Sequence, residues 1–200
     1  MKIGVLSLQG GVAEHIYMVR ASLNELNVSG EVVKVSTTQS LKDVDGLIIP
    51  GGESTTIQRL MVRLELWDLV RERIIDGLPA LGTCAGAILL AKSVKDREAE
   101  RAKVETLGVM NIEVVRNYFG RQRESFEADI VIPVLGERPF RAIFIRAPAI
   151  TKVDAPAEAL SQLGSVIVAA AEGVNIATAF HPELGKDLRL HKFWLQNIRR

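Results

Sequence analysis

Cys84 is the only cysteine in this chain, and its neighbours are those of a reactive residue. It lies in Gly82-Thr83-Cys84-Ala85-Gly86, between a short apolar run typical of a strand and a helix-forming run that begins at Ala87. Glycines on both sides allow a sharp turn, and the helix that follows directs its free N–H groups toward the sulfur. That environment favours the thiolate. The pattern predicts a nucleophilic cysteine, with a small buried cysteine at a strand end as the alternative.

A partner for such a nucleophile occurs later in the chain, in the segment Phe180-His181-Pro182-Glu183. Residues two apart on an extended chain project to the same side, so Glu183 can reach one imidazole nitrogen of His181 while the other nitrogen faces a sulfur. An ordinary surface turn is the alternative. His15 and His191 lie in helix-like segments and are expected to be structural or solvated. With one cysteine and no close pair of histidines, no metal site is expected.

A third candidate segment, Pro50-Gly51-Gly52-Glu53-Ser54, follows the apolar run of a predicted strand. Backbone N–H groups exposed by a Gly-Gly turn can bind an oxyanion or a substrate carboxylate, and Ser54 or Thr55 is suited to begin a helix. The segment is not a Walker motif, because the Gly-Lys-Ser/Thr ending is missing. An ordinary connection from strand to helix is the alternative.

Strands and helices alternate in the first half of the chain. This alternation indicates a parallel sheet with helices on both faces. Functional groups collect at the carboxyl ends of the strands in such a sheet, and all three segments described above follow predicted strands. The predicted strands are 2–8, 31–35, 46–50 and 78–81, and the predicted helices run from the turn at 9–11 to about Leu26 and over 55–76.

The second half is richer in strands, which predicts antiparallel additions before a closing helix. The run Lys95–Lys103 mixes both charge signs and is predicted to be a solvated helix or loop. The predicted fold is therefore α/β, a three-layer, open and mostly parallel sheet with helices on both faces and antiparallel additions. The later strands are predicted at 108–115, 126–133, 140–145 and 166–179, with the helix at 190–198.

Composition predicts one globular domain over residues 1–200, since 48% of the residues are hydrophobic and 24% are charged. A net charge of +1 argues against binding to nucleic acid or to an acidic membrane. A lone cysteine excludes an internal disulfide and suits a reducing cytoplasm, which is the expected location. Neither a targeting segment nor a membrane-spanning segment is expected.

The motifs together resemble a known family. Gly4-Val5-Leu6 with Leu8-Gln9-Gly10, Pro50–Thr55, Gly82–Gly86 and Phe180–Glu183 resemble the class I, or triad, glutamine amidotransferase domain. Further blocks are similar to the glutaminase subunit of glutamine-dependent pyridoxal 5′-phosphate synthase, the PdxT family. The blocks follow the family order over nearly the whole chain. The further blocks are Arg116–Gln122, Ser125–Glu127 and Phe144–Pro148.

This resemblance implies a flavodoxin-like fold and a cofactor-free hydrolysis of L-glutamine to glutamate and ammonia. The ammonia would pass to a PdxS-type pyridoxal 5′-phosphate synthase subunit in a hetero-oligomer that makes vitamin B6. The resemblance implies Cys84 as nucleophile and His181 with Glu183 as the charge-relay pair. It also implies oxyanion donors at the N–H groups of Gly52 and Ala85, and glutamine contacts at Gly52, Glu53, Ser54, Arg116, Ile145 and Arg146, with either arginine available for the α-carboxylate.

Two other functions compete with this interpretation. The glutaminase subunit of imidazole glycerol phosphate synthase would share the triad, although the blocks Arg116–Gln122 and Phe144–Pro148 favour the vitamin B6 assignment. A non-catalytic binding protein is the second alternative, because a fold does not determine a function. The presence of Cys84, His181 and Glu183 counts against it.

Overall fold

The first half of the protein alternates strands and helices, as its hydrophobic pattern predicts. The computed structural model describes residues 1–97, 104–119 and 125–198. In chain order the first elements are β1 (Lys2–Leu6), α1 (Val12–Glu25), β2 (Glu31–Val35), α2 (Thr38–Lys42), β3 (Gly46–Ile49), α3 (Ser54–Arg63), α4 (Trp67–Ile75), β4 (Ala80–Thr83) and α5 (Ala85–Leu90).

The second half is dominated by strands and ends in a helix, again as predicted. The segment predicted as strand-rich over 166–179 forms two strands that pair with each other. Short 3₁₀ helices cover Pro133–Leu135 and Pro182–Leu184. The remaining elements are β5 (Ala91–Asp96), β6 (Met110–Arg116), β7 (Phe126–Ile130), β8 (Phe140–Phe144), β9 (Ala149–Val153), β10 (Glu158–Leu163), β11 (Val166–Glu172), β12 (Asn175–Thr178) and α6 (Arg189–Ile198).

One large sheet organises the molecule. Its strands follow the order β2-β1-β3-β4-β12-β11-β9-β6-β5, and β10 also pairs with β11. The five strands from β2 to β12 are parallel to one another, whereas β11 and β9 are antiparallel to their neighbours. Strands β7 and β8 form a separate antiparallel pair. The predicted α/β sheet with antiparallel additions is thus confirmed.

Helices cover both faces of the parallel strands because successive side chains of those strands point in opposite directions. In β3, Leu47 and Ile49 join the hydrophobic cluster of α3, α4 and α5, whereas Ile48 joins the cluster that contains Val19 of α1 and Trp194 of α6. Burying each such side chain is worth about 1.5–3 kcal/mol, so a shift of register by one residue is strongly disfavoured. Across the described ranges, no helix has both the length and the apolar character needed to cross a bilayer.

The single helix predicted over 55–76 is wrong. Helix α3 ends at Arg63 and α4 begins at Trp67, because Glu65 adopts a left-handed conformation with φ of 58° that an α-helix does not accommodate. The break turns the chain so that Leu66 is fully buried. Apolar periodicity continues across the break, which is why the pattern suggested one helix.

Other predicted boundaries also need correction. Strand β4 begins and ends later than the predicted 78–81, and the predicted strand over 126–133 ends at Ile130, before a 3₁₀ helix. Lys95 and Asp96 complete β5 rather than a helix or loop, while residues 98–103 of the charged run lie outside the described residues. Strands β9 and β10 and helix α2 are short, and the sequence patterns did not predict them.

Candidate active site

Cys84 lies at the junction of β4 and α5 in a strained backbone conformation, with φ of 48° and ψ of −100°. Its N–H donates to the carbonyl oxygen of Thr178 on the neighbouring strand β12, at 2.7 Å. Strain at one residue costs about 1–3 kcal/mol and persists only where the surroundings enforce it. The geometry matches the predicted nucleophile turn, with the strain in the cysteine itself and not in the glycines that flank it.

The flanking glycines allow close packing of backbones instead. A Cβ on Gly86 would lie 1.9 Å from the carbonyl oxygen of Ile49, and one on Gly82 would lie 2.6 Å from the carbonyl carbon of Gly86. The first turn of α5 therefore rests directly on β3 and β4. A larger residue at either position would displace Cys84.

His181 reaches Cys84 because β12 pairs in parallel with β4, with Thr178 level with Thr83. Its Nδ1–H donates to Oε1 of Glu183 at 2.7 Å, which leaves Nε2 for the hydrogen bond with Cys84. Glu183 lies in the 3₁₀ turn just after β12, and its side chain is only 1% exposed. This is the geometry of a nucleophile, a proton carrier and an orienting carboxylate.

The protonation of His181 follows from these neighbours. Burial by itself lowers the pKa of His181, but hydrogen bonds to Cys84 and Glu183, together with their charges, raise that pKa to about 10. His181 is thus an imidazolium at neutral pH. Its Nε2–H can therefore donate a proton to a group that leaves beside the sulfur.

The Gly51-Gly52 turn lies against the side chains of both Cys84 and His181. A Cβ on Gly51 would be 2.3 Å from Cε1 of His181 and 3.3 Å from Cβ of Cys84. Only glycine permits this approach. Gly52 has φ of 156°, at the border of the conformations that glycine favours. The turn is therefore close enough to contribute N–H groups to a reacting carbonyl.

The turn after β1 holds this glycine loop in place. The N–H of Gly11 donates to the carbonyl oxygen of Gly51 at 3.3 Å, and Oε1 of Gln9 accepts from the N–H of Glu53 at 2.7 Å. On the other side, the N–H of Gly51 donates to Oγ1 of Thr83 at 3.0 Å. The orientation of the Gly51–Gly52 peptide thus depends on residues 9–11.

A pocket of about 270 Å³ opens beside Cys84 and His181. Its size suits a single small molecule. All six residues predicted to contact a substrate line this pocket, whereas Ala85 lies in the first turn of α5 and Glu183 is buried behind His181. The lining comprises the predicted Gly52, Glu53, Ser54, Arg116, Ile145 and Arg146, and also Gln9, Ile88 and Asn117.

The two arginines of the pocket differ in their surroundings. Arg116 is largely buried and donates to Oε1 of Glu53 at 3.0 Å and to Oδ2 of Asp96 at 3.1 Å. Arg146 is exposed at the rim. Two carboxylates already engage Arg116, so its geometry is that of a group that orients Glu53. Residues 120–122 of the family-like block that begins at Arg116 lie outside the described residues.

Three pocket residues were not among the predicted contacts: Gln9, Ile88 and Asn117. Among the described residues, five non-glycine positions have positive φ, and Cys84, Asn117 and Arg146 of that group line the pocket. Strained backbone tends to collect at functional sites. Asparagine tolerates the left-handed region, and Gln9 follows β1, so both positions carried a weak signal in the sequence. Ile88 carried none.

His15 and His191 are fully buried, so the solvated alternative is wrong for both. Nδ1 of His15 lies 3.1 Å from Nε2 of His191. Burial, followed by the charges of His191 and His181, lowers the pKa of His15 well below its ordinary value. Burial lowers the pKa of His191 to about 4. Both imidazoles are therefore neutral at physiological pH.

These buried histidines predict a loss of stability in mild acid. Both pKa values are lowered on folding, so below the ordinary value of 6.5 the unfolded chain binds more protons. Stability present above pH 6.5 is lost as the pH falls toward about 4, by up to about 1.4 kcal/mol per pH unit for each group. Urea unfolding followed at a series of pH values measures this slope.

The matched control for that slope is His191→Gln, which cannot titrate. It should show a shallower decline in stability over the same pH range, whatever its stability at neutral pH. A wild-type free energy of unfolding that stays constant between about pH 6.5 and pH 5 would contradict neutral burial of the two histidines.

The chain is similar to known proteins over nearly its whole length. The sequence model described as the SNO glutamine amidotransferase family matches residues 5–200. The chain is 52% identical to the pyridoxal 5′-phosphate synthase subunit PdxT of Staphylothermus marinus, over 99% of this chain and 98% of that protein. It is 53% identical to the PdxT subunit of Aeropyrum pernix, over the full length of both. A crystal structure described as a glutamine amidotransferase superposes with a TM-score of 0.85 at 40% identity, covering 99% of each chain.

Proposed function

Because the chain belongs to the SNO glutamine amidotransferase family, we propose that residues 1–200 form one domain that acts as the glutaminase subunit of a pyridoxal 5′-phosphate synthase. It hydrolyses L-glutamine to L-glutamate and ammonia. The mechanism rests on the position of His181. One of its ring nitrogens is hydrogen-bonded to Cys84 and the other to Glu183, and a pocket sized for a small molecule opens beside it.

In the first half of the reaction, the Cys84 thiolate attacks the side-chain amide carbon of glutamine. The carbonyl oxygen becomes an oxyanion, which the N–H groups of Gly52 and Ala85 stabilise. The C–N bond then breaks, and His181 gives its Nε2 proton to the leaving nitrogen, so that ammonia departs and a thioester remains. Glu183 stabilises the imidazolium before the transfer and fixes the ring orientation.

In the second half, water hydrolyses the thioester. His181 is now neutral at Nε2 and takes a proton from the attacking water, while the same N–H groups stabilise the second oxyanion. The C–S bond breaks, glutamate leaves, and the thiolate–imidazolium pair is restored. The sum of both halves is glutamine plus water giving glutamate plus ammonia.

The remaining pocket residues would recognise the α-carbon substituents of glutamine. The partly exposed carboxylate of Glu53, held by Arg116, is placed to accept from the α-ammonium group. Arg146 at the rim would then meet the α-carboxylate. Ser54 and Ile145 would complete the contacts. The two ion pairs of Arg116 support its role as the residue that orients Glu53.

We place the chain in a hetero-oligomer with a PdxS-type synthase subunit, because the relatives in Staphylothermus marinus and Aeropyrum pernix are named as subunits of pyridoxal 5′-phosphate synthase. The same names favour the vitamin B6 pathway over imidazole glycerol phosphate synthesis. The cytoplasm is the proposed location, because a lone cysteine suits a reducing compartment. A subunit that released ammonia without its partner would waste glutamine. Control by the partner is therefore part of the proposal.

The loop contacts provide a route for this control. The Gly51 carbonyl is held by Gly11, and Glu53 is held by Gln9, so a partner that docks at residues 9–11 would reorient the Gly51–Gly52 peptide. One oxyanion donor is worth ~10²–10³-fold in turnover. We expect glutamine hydrolysis by the isolated chain to be slower by about that factor than in the presence of the synthase, with ammonia measured directly.

Two results would separate the parts of this proposal. Equal turnover with and without the synthase would reject activation by the partner and leave the triad untouched. Absence of glutamate and ammonia production in the assembled complex would reject the glutaminase function itself.

A further inference from the structure

A buried polar network lies directly behind the reactive residues. Nε2 of His15 is 3.1 Å from Oγ1 of Thr83 and 3.4 Å from Oε2 of Glu183. Oε2 of Glu183 makes no hydrogen bond of normal geometry to the described residues, so His15 is its electrostatic partner. His15, Thr83 and His191 are fully buried, so loss of these contacts would leave polar groups unpaired away from water, which is unfavourable.

The arrangement selects one tautomer of His15. With the proton on Nε2, the ring donates toward Thr83 and the Glu183 carboxylate, and Nδ1 accepts from Nε2–H of His191. With the proton on Nδ1, the Nε2 lone pair could accept from the Thr83 hydroxyl but would also face a carboxylate oxygen at 3.4 Å. His191 would then carry its proton on Nδ1, which has no hydrogen-bond partner among the described residues. A buried donor left unpaired is unfavourable, and so is a lone pair opposite a carboxylate.

The network connects the parts of the site that come from different strands. Glu183 follows β12, Thr83 ends β4 immediately before the nucleophile, and Thr83 also accepts from the N–H of Gly51 after β3. His15 comes from α1 and His191 from α6, on the face of the sheet covered by those helices. The His15 imidazole therefore contacts both Glu183, which holds His181, and Thr83, which precedes Cys84 and holds the Gly51 N–H.

We propose that His15 is a positioning residue for the glutaminase reaction proposed above: its Nε2–H, held in that tautomer by His191, fixes the Glu183 carboxylate that orients His181. His15 touches neither the substrate nor the sulfur. It acts through Glu183 and Thr83. The titratable groups that face it are His191 from α6, Glu183 from the turn after β12, and His181 beyond Glu183.

The tautomer can be tested without any glutamine. Long-range ¹H–¹⁵N correlation spectra of the labelled protein should show neutral imidazoles protonated at Nε2 for both His15 and His191 at neutral pH. Single substitutions at each position would assign the signals. An imidazolium, or a proton on Nδ1 of His15, would overturn the proposal whether or not the protein is a glutaminase.

The positioning role can be tested by kinetics on the complex with the synthase. His15→Leu fills much of the same volume without a donor, and kcat should fall about 10- to 100-fold, as for a buried charged group left without its polar partner. KM should stay unchanged, because His15 does not contact glutamine. His15→Gln carries an amide N–H near the position of Nε2 and should restore most of kcat.

Met18→Ala is the matched control, because Met18 is buried one turn further along α1 and its side chain carries no N–H or O–H donor for Glu183. It should lower Tm without changing kcat at temperatures where it stays folded. Equal kcat values for His15→Leu and wild type, or equal losses in the Leu and Gln variants, would overturn the proposal. If His15→Leu does not fold, the comparison of His15→Gln with wild type and the tautomer spectrum decide the question.

Discussion

Replacement of Cys84 by alanine is expected to abolish glutamine hydrolysis in the assembled synthase, with a loss of ~10⁶-fold in kcat as for other missing nucleophiles. The proposed reaction depends on a covalent thioester, and the described residues place no second cysteine near the pocket. Alanine keeps the Cβ and replaces a small side chain by a smaller one. The turn at φ of 48° is held by β12 and should persist.

The measurement is ammonia release by the Cys84→Ala variant in complex with the synthase, alongside Tm and complex formation. Both of the latter should match wild type. A diazo-ketone analogue of glutamine should label wild-type protein at Cys84 and leave the variant unmodified. Substantial turnover by Cys84→Ala would show that Cys84 is not the nucleophile.

The second large effect is expected at His181. Replacement by asparagine removes the proposed proton carrier, and general acid–base catalysis is commonly worth ~10²–10⁴-fold, so kcat should fall at least that far. The variant also removes the cation that lies beside the Cys84 sulfur. Alkylation of Cys84 by a simple electrophile should therefore slow as well, a readout that needs neither glutamine nor the synthase.

Glu183→Gln is the graded control for His181. Glutamine keeps much of the shape but loses the charge that helps to raise the pKa of His181, so this pKa should fall from about 10 toward its ordinary value. Its loss in kcat should be equal to or smaller than that of His181→Asn. Near-full activity of His181→Asn at saturating glutamine would show that another group carries the proton.

The sequence predicted those parts of the site that are built from neighbours in the chain. Glu183 reaches His181 because residues two apart can project to one side, and the 3₁₀ turn keeps that relation. The turn at Cys84 was predicted from the flanking glycines. The loop Gly51–Ser54 was predicted from a buried strand that ends in two glycines. Each of these depends on only a few adjacent residues.

Errors arose where local pattern and tertiary packing disagreed. The apolar periodicity over 55–76 is continuous, yet Glu65 adopts a left-handed conformation and splits the helix. Strands β9 and β10 owe their existence to pairing with β6 and β11, which their own short sequences do not specify. His15 and His191 looked like ordinary helix positions, since nothing nearby in the chain shows that they face each other.

The sequence by itself determined the candidate reactive side chains, the turns that present them and the alternation of strands and helices, because these features rest on residue type and short-range spacing. Only the tertiary structure decided that β3, β4 and β12 lie side by side, so that the ends of three distant strands form one pocket. It also decided that α1 and α6 bring two imidazoles behind Glu183. Strand order and helix contacts come from burial summed over the whole chain, and no short segment records that sum.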